Sequence, residues 1–134
     1  MSRLLLNLLL LPIWLTAQSD ATDPYGVITP VQTQLDGYNT GDLELFLSAY
    51  ADTVRIYNFP DELGAEGKEA MRETYGNMFE RLPDLHCRLV NRMVMGNRVI
   101  DHESVVFAAG EPPTEVIAMY TVEEGLITEV RFLR

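Results

Sequence analysis

The fold is decided by the run from Leu85 to Leu133: LHCRLVNRMVM (Leu85–Met95), a turn at Gly96-Asn97, RVIDHESVVFA (Arg98–Ala108), a loop with Gly110 and Pro112-Pro113, TEVIAMYTV (Thr114–Val122), a turn at Glu123-Glu124-Gly125, and LITEVRFL (Leu126–Leu133). Strand-like segments separated by turn formers at this spacing predict four consecutive strands in an antiparallel meander.

Working back from that meander, Thr53–Phe59 alternates with period two. Val54, Ile56 and Asn58 fall on one side and Arg55, Tyr57 and Phe59 on the other, which predicts a strand ended by Pro60-Asp61. A loop with Gly64 and Gly67 follows. Met71, Tyr75, Met78, Phe79 and Leu82 then mark one face of a helix closed by Pro83. Gly76 inside it costs about 1 kcal/mol relative to Ala and points to close packing there. Upstream, Ile28, Val31, Leu35 and Tyr38 recur at steps of three and four after Thr29-Pro30, predicting a helix that ends near Asn39–Gly41. Asp42 is a good N-cap for a short helix buried along Leu43, Phe46, Leu47 and Tyr50. The order helix, helix, strand, helix, four strands is an α+β pattern. Three helices from the N-terminal half would cover one face of a curved antiparallel sheet and enclose a cone.

The chain has 134 residues, the size of one domain. Its 47% hydrophobic and 22% charged residues are those of a globular protein. A formal net charge of -10 repels phosphate backbones and anionic lipid, which excludes nucleic acid as a partner. Cys87 is the single cysteine, so neither an intrachain disulfide nor a multi-thiolate metal site is available. Met1–Gln18 has a basic start at Arg3, an apolar run from Leu4 to Leu15 and small or polar residues after it, the three-part pattern of a secretory signal peptide. The run falls short of the roughly 20 residues of a membrane span, and Asn7 and Pro12 interrupt it, so no stable membrane anchor is expected. Cleavage after Ala17 or Ser19 would leave a short lead-in and an exported domain at residues 27–134, periplasmic or secreted.

Several segments carry a family likeness: Tyr38-Asn39-Thr40-Gly41-Asp42-Leu43-Glu44 with Phe46 and Tyr50-Ala51-Asp52, then Glu66-Gly67-Lys68-Glu69-Ala70-Met71-Arg72, and Glu124-Gly125-Leu126-Ile127. Together they resemble the SnoaL-like branch of the nuclear transport factor 2-like superfamily, which also holds the steroid delta-isomerases. The resemblance implies a cone-shaped α+β fold. It leaves function open among isomerases, dehydratases, cyclases, hydrolases and non-catalytic dimerisation modules. Ketosteroid isomerases use an Asp base with an oxyanion hole of a Tyr and a protonated Asp. Aligned through Asn39–Asp42, those positions fall on Asn58, Gln34 and a residue near Ala118. All three expected groups are missing, which argues against that enolisation chemistry.

Val99-Ile100-Asp101-His102-Glu103-Ser104 sets two carboxylates and a histidine inside an apolar strand. Alternation places Asp101 and Glu103 on one face and His102 on the other. The alignment turns Ile100, His102, Ser104 and Val106 into the cone, and a slip of one residue reverses the assignment. His102 then reads either as an acid/base group in the pocket or as a histidine satisfied within the sheet. Asp101 and Glu103 would lie outside, paired with Arg88 or Arg92 or meeting a dimer partner. Asn58 reads as a ligand-orienting amide or a strand-end turn former. Gln34, Tyr38, Tyr75, Tyr120 and Phe132 complete the candidate ligand-binding set, while Leu35, Met71, Met93, Met119 and Val130 are expected in the core or on pocket walls. Adjacent His86 and Cys87 face opposite ways, so no metal is expected, and no cofactor motif is present. The functional expectation is an exported domain binding a small apolar molecule, with His102 for acid/base chemistry. The alternative is a non-catalytic dimerisation or partner-binding module, and a homodimer is expected in either case.

Overall fold

In the computed structural model, which describes residues 23 and 25–134, the chain starts its regular structure at α1 (Ile28–Thr40). The signal-peptide stretch, residues 1–19, and its cleavage positions lie outside the described residues. The first turn of α1 is held by Asp23, whose carboxylate accepts from the backbone N–H groups of Val27 (2.7 Å), Ile28 (3.0 Å) and Thr29 (2.9 Å). Those amides have no intrahelical partner, so a carboxylate there satisfies three at once. The helix stops at Gly41, whose positive φ of 68° a side chain would resist. Asp42 then caps α2 (Leu43–Ser48) by accepting from the Leu45 amide at 3.0 Å. The two helices meet at Gly37, where an added Cβ would lie 2.4 Å from the backbone nitrogen of Phe46.

β1 runs from Tyr50 to Asn58, so Tyr50 opens a strand instead of finishing the stripe of α2. The stretch read as a loop contains β2 (Glu62–Glu66), which pairs antiparallel with β1. Its sequence ELGAE is too short and too polar to signal a strand, and pairing with β1 alone makes it one. α3 (Lys68–Arg81) buries Met71, with Tyr75 and Phe79 packed on the same core. The remaining strands are β3 (His86–Met95), β4 (Arg98–Val106), β5 (Thr114–Glu123) and β6 (Leu126–Leu133). They form the expected antiparallel meander. β1 joins it parallel to β6, and the order across the six-stranded sheet is β2-β1-β6-β5-β4-β3. The sheet is curved and unclosed, and the three helices cover its concave face. Among the described residues no helix is long and apolar enough to cross a membrane.

Facing is set by the register. Val99, Asp101, Glu103 and Val105 of β4 point under the helices with Val116, Ala118, Tyr120 and Val122 of β5. The opposite set, with Ile100 and His102 beside Met119 and Ile117, faces outward. This reverses the expected facing of β4: His102 is outside, and the two carboxylates are inside. Met93 and Met119, expected on the interior, also belong to the outer face, where Met93 pairs with Ile100.

Candidate functional site

Between helices and sheet lies a small, partly open cavity of about 70 Å³. Its walls come from α1 (Gln34, Leu35, Tyr38), α2 (Phe46), β1 (Tyr50), α3 (Tyr75, Met78), β3 (Cys87), β4 (Glu103, Val105), β5 (Val116, Tyr120) and β6 (Phe132), with Phe107 and Arg134. The aromatic residues pack on one another, Phe46 on Tyr75 with centroids 4.5 Å apart and Tyr38 edge-on to Phe79 at 5.7 Å. Such a wall removes water from apolar surface and leaves the few polar groups among it to orient a ligand.

Four of those polar groups form one chain. The Tyr50 hydroxyl donates to Gln34 Oε1 (3.2 Å), Gln34 Nε2 donates to the Tyr120 hydroxyl oxygen (3.1 Å), and Tyr120 donates to Glu103 Oε1 (3.2 Å). Glu103 is only 5% exposed. Burial, and then the charge of Asp101, push its carboxyl up to about 7, against the pull of the Tyr120 hydroxyl, Cys87 and Arg92. A carboxyl in this range gains and loses its proton near neutral pH. Burial raises the Tyr50 and Tyr120 hydroxyls far above their ordinary range, so both remain donors. Burial and the neighbouring Glu103 raise the Cys87 thiol as well, which keeps it protonated and unreactive.

Asp101, fully buried, is neutralised from below. Arg92 of β3 grips it with two bonds, Nε to Oδ1 at 2.7 Å and Nη2 to Oδ2 at 2.8 Å, and extends a third to Gln32 Oε1 of α1 at 3.0 Å. The fork matches the planar guanidinium to the carboxylate. The partner expected for Asp101 on an outer face is therefore present on the inner one. Asn39 of α1 holds the edge strand at Cys87, donating to its carbonyl at 2.8 Å and accepting from its amide at 2.7 Å.

A SnoaL-like domain model matches residues 31–130. The chain belongs to the SnoaL-like domain family. Solved structures share the fold. The SnoaL-like chain is 26% identical to an uncharacterised cystatin-fold protein from Novosphingobium aromaticivorans, with a TM-score of 0.73 over 80% of this chain and 97% of the other. A nuclear transport factor 2-like protein of unknown function from Cytophaga hutchinsonii is 16% identical, with a TM-score of 0.67 over 80% and 88% of the two chains. A candidate SnoaL-like polyketide cyclase from Jannaschia is 19% identical, with a TM-score of 0.64 over 81% and 84%. These last two show likeness of fold. No curated protein matches the sequence significantly.

Within the SnoaL-like fold, Gln34, Tyr38, Tyr75, Tyr120 and Phe132 all line the cavity. Asn58 does not. It keeps the inward parity of Val54 and Ile56 but stands beyond them, exposed at the sheet's rim opposite Glu62. His102 lies outside, its Nε2 paired with the Glu115 carboxylate of β5. Sequence reasoning assigned no cavity role to Glu103, Tyr50, Phe46 and Cys87. The signal for Glu103 was present in β5: Glu115, Thr121 and Glu123 mark the outer face of that strand. In the register that the structure sets, Glu115 pairs with Ser104 and Thr121 with Arg98, and alternation from those two leaves Asp101 and Glu103 on the inner face.

Proposed function

We propose that this SnoaL-like domain binds a small, largely apolar molecule in the cavity and exchanges a proton with it through Glu103. The observation that carries the reading is a buried carboxyl, raised to about 7, on the wall of an aromatic cavity and hydrogen-bonded to Tyr120. A general acid or base is most effective when its pKa lies near the working pH, and burial supplies that here. Gln34, Tyr38, Tyr75, Tyr120 and Phe132 hold the ligand against Glu103, and His102 takes no part because the sheet separates it from the cavity. Acid/base chemistry of the isomerase, dehydratase, cyclase or hydrolase type fits this arrangement, and the polyketide-cyclase name of the Jannaschia neighbour supports the same class. The three-part pattern of residues 1–19 supports export of the domain.

Native mass spectrometry of protein purified from its own host compartment tests the reading. A retained small molecule is expected, and its loss from Glu103→Gln together with its retention by His102→Ala would support the site. Retention by the first and loss from the second would sink it.

A second reading concerns the outer sheet face. Met93 (58% exposed) pairs with Ile100, Ile100 with Met119, and Ile117 with Leu133 (46% exposed). An apolar stripe of this kind on a sheet favours association. We propose a homodimer through this face.

A further inference from the structure

The hydrogen-bond chain behind the cavity fixes more than a shape. When Glu103 is ionised, above about pH 7, it has no proton to give, so the Tyr120 hydroxyl must spend its single hydrogen on it. The contact between Tyr120 and Gln34 is then made with the amide N–H, which leaves the Gln34 carbonyl for Tyr50, and Tyr50 spends its hydrogen there. Both hydroxyl hydrogens are thus committed away from the cavity. What this end of the cavity offers a ligand is mainly lone pairs, on Glu103, Tyr120 and Tyr50. Lone pairs of this kind receive a group that carries hydrogen-bond donors. A cation suits the remainder of the site as well: aromatic faces attract positive charge, and Tyr38, Phe46, Tyr50 and Tyr75 surround the same space. The net charge of -10 draws cations toward the protein.

Resting on the pocket reading above, we propose that the ligand is an amine, a small molecule with an apolar, ring-sized body whose ammonium group is received by Glu103. The other groups facing Glu103 bear on the charge balance. On its own strand Asp101 repels a proton's loss, and from β3 Arg92 is occupied by Asp101 while Cys87 stays neutral. Tyr120 of β5, Gln34 and Tyr38 of α1, Tyr50 of β1 and Tyr75 of α3 are neutral. Among the described residues, Arg134, stacked over the Phe132 ring at 5.2 Å, is the one cation that lines the cavity, and it would favour an anion instead.

The test compares three ligands with one body and different heads, namely phenethylamine, phenethyl alcohol and phenylacetate, titrated into the full domain and followed by NMR. At about pH 8.5 the amine is expected to bind roughly tenfold or more tightly than the alcohol, and phenylacetate most weakly. The advantage of the amine should vanish in Glu103→Gln and fade in the wild type toward about pH 5.5, as protonation removes the acceptor. Tyr120→Phe keeps the carboxylate but removes the bond that favours its ionised form, so the pH midpoint of amine binding should move up. Alcohol or phenylacetate binding as tightly as the amine, or an amine affinity unchanged in Glu103→Gln, would overturn the proposal while leaving the pocket intact. If none of the three perturbs a cavity residue, the pocket reading falls with it.

Discussion

Glu103 is held at the expense of stability. Its carboxyl titrates near 4.5 in the unfolded chain and about 7 when folded, so between those values the native state holds more protons. Stability then decreases as pH rises through that window, and the full penalty is present above it. Glu103→Gln keeps an acceptor for Tyr120 and removes the charge. Urea unfolding above about pH 7 should therefore show it more stable than wild type by on the order of 2 to 3 kcal/mol, with the difference vanishing below about pH 4.5. A variant that loses the ligand yet is more stable is the pattern expected if Glu103 serves the proposed function. His102→Ala, by contrast, should leave ligand retention and its pH dependence unchanged, because its partner is Glu115 on the outer face. At this scale the sequence showed that His102 opposes Asp101 and Glu103 across the strand but left open which of them faces inward. Val99 and Val105 flank one parity and Ile100 and Val106 the other, so both faces of β4 look apolar and only pairing with β5 breaks the tie.

Among the elements, the helices were the most legible, since a buried stripe and its caps lie within one segment. Even there, Tyr50 matched the stripe of α2 by spacing and was drawn into β1 by pairing with Ile127 of β6. The contact between α1 and α2 rests on Gly37. In Gly37→Ala the new methyl would meet Phe46 backbone at 2.4 to 2.6 Å, which cannot rotate away. A loss of roughly 2 to 4 kcal/mol by thermal or chemical unfolding is expected. Gly76→Ala is the matched control. Its Cβ would meet only the Leu43 Cδ2 at 3.3 Å, the end of a flexible side chain, and helix propensity gains about 1 kcal/mol. That variant should be neutral or more stable, although close packing at Gly76 was the expectation from sequence. Asp42→Ala removes the cap of α2 and should cost about 1 kcal/mol.

For the whole molecule, the sheet has two faces with different fates, one closed by helices around the cavity and one carrying Met93, Ile100, Met119, Ile117 and Leu133 outward. If the proposed dimer forms, a single Met119→Glu substitution at the middle of that stripe should convert it to a monomer in sedimentation velocity and leave ligand retention unchanged. A wild-type chain that sediments as a monomer at high concentration would remove the dimer. From the sequence alone came the α+β order, the antiparallel meander, the family and the side-chain alternation of each strand, because periodicity and turn residues are local properties. Tertiary structure alone decided that β1 closes on β6 in parallel, that ELGAE becomes a strand, and that Glu103 rather than His102 reaches the cavity. Each of these depends on which strand lies beside which and in what register, and a one-residue shift in register exchanges the inside of a sheet for its outside.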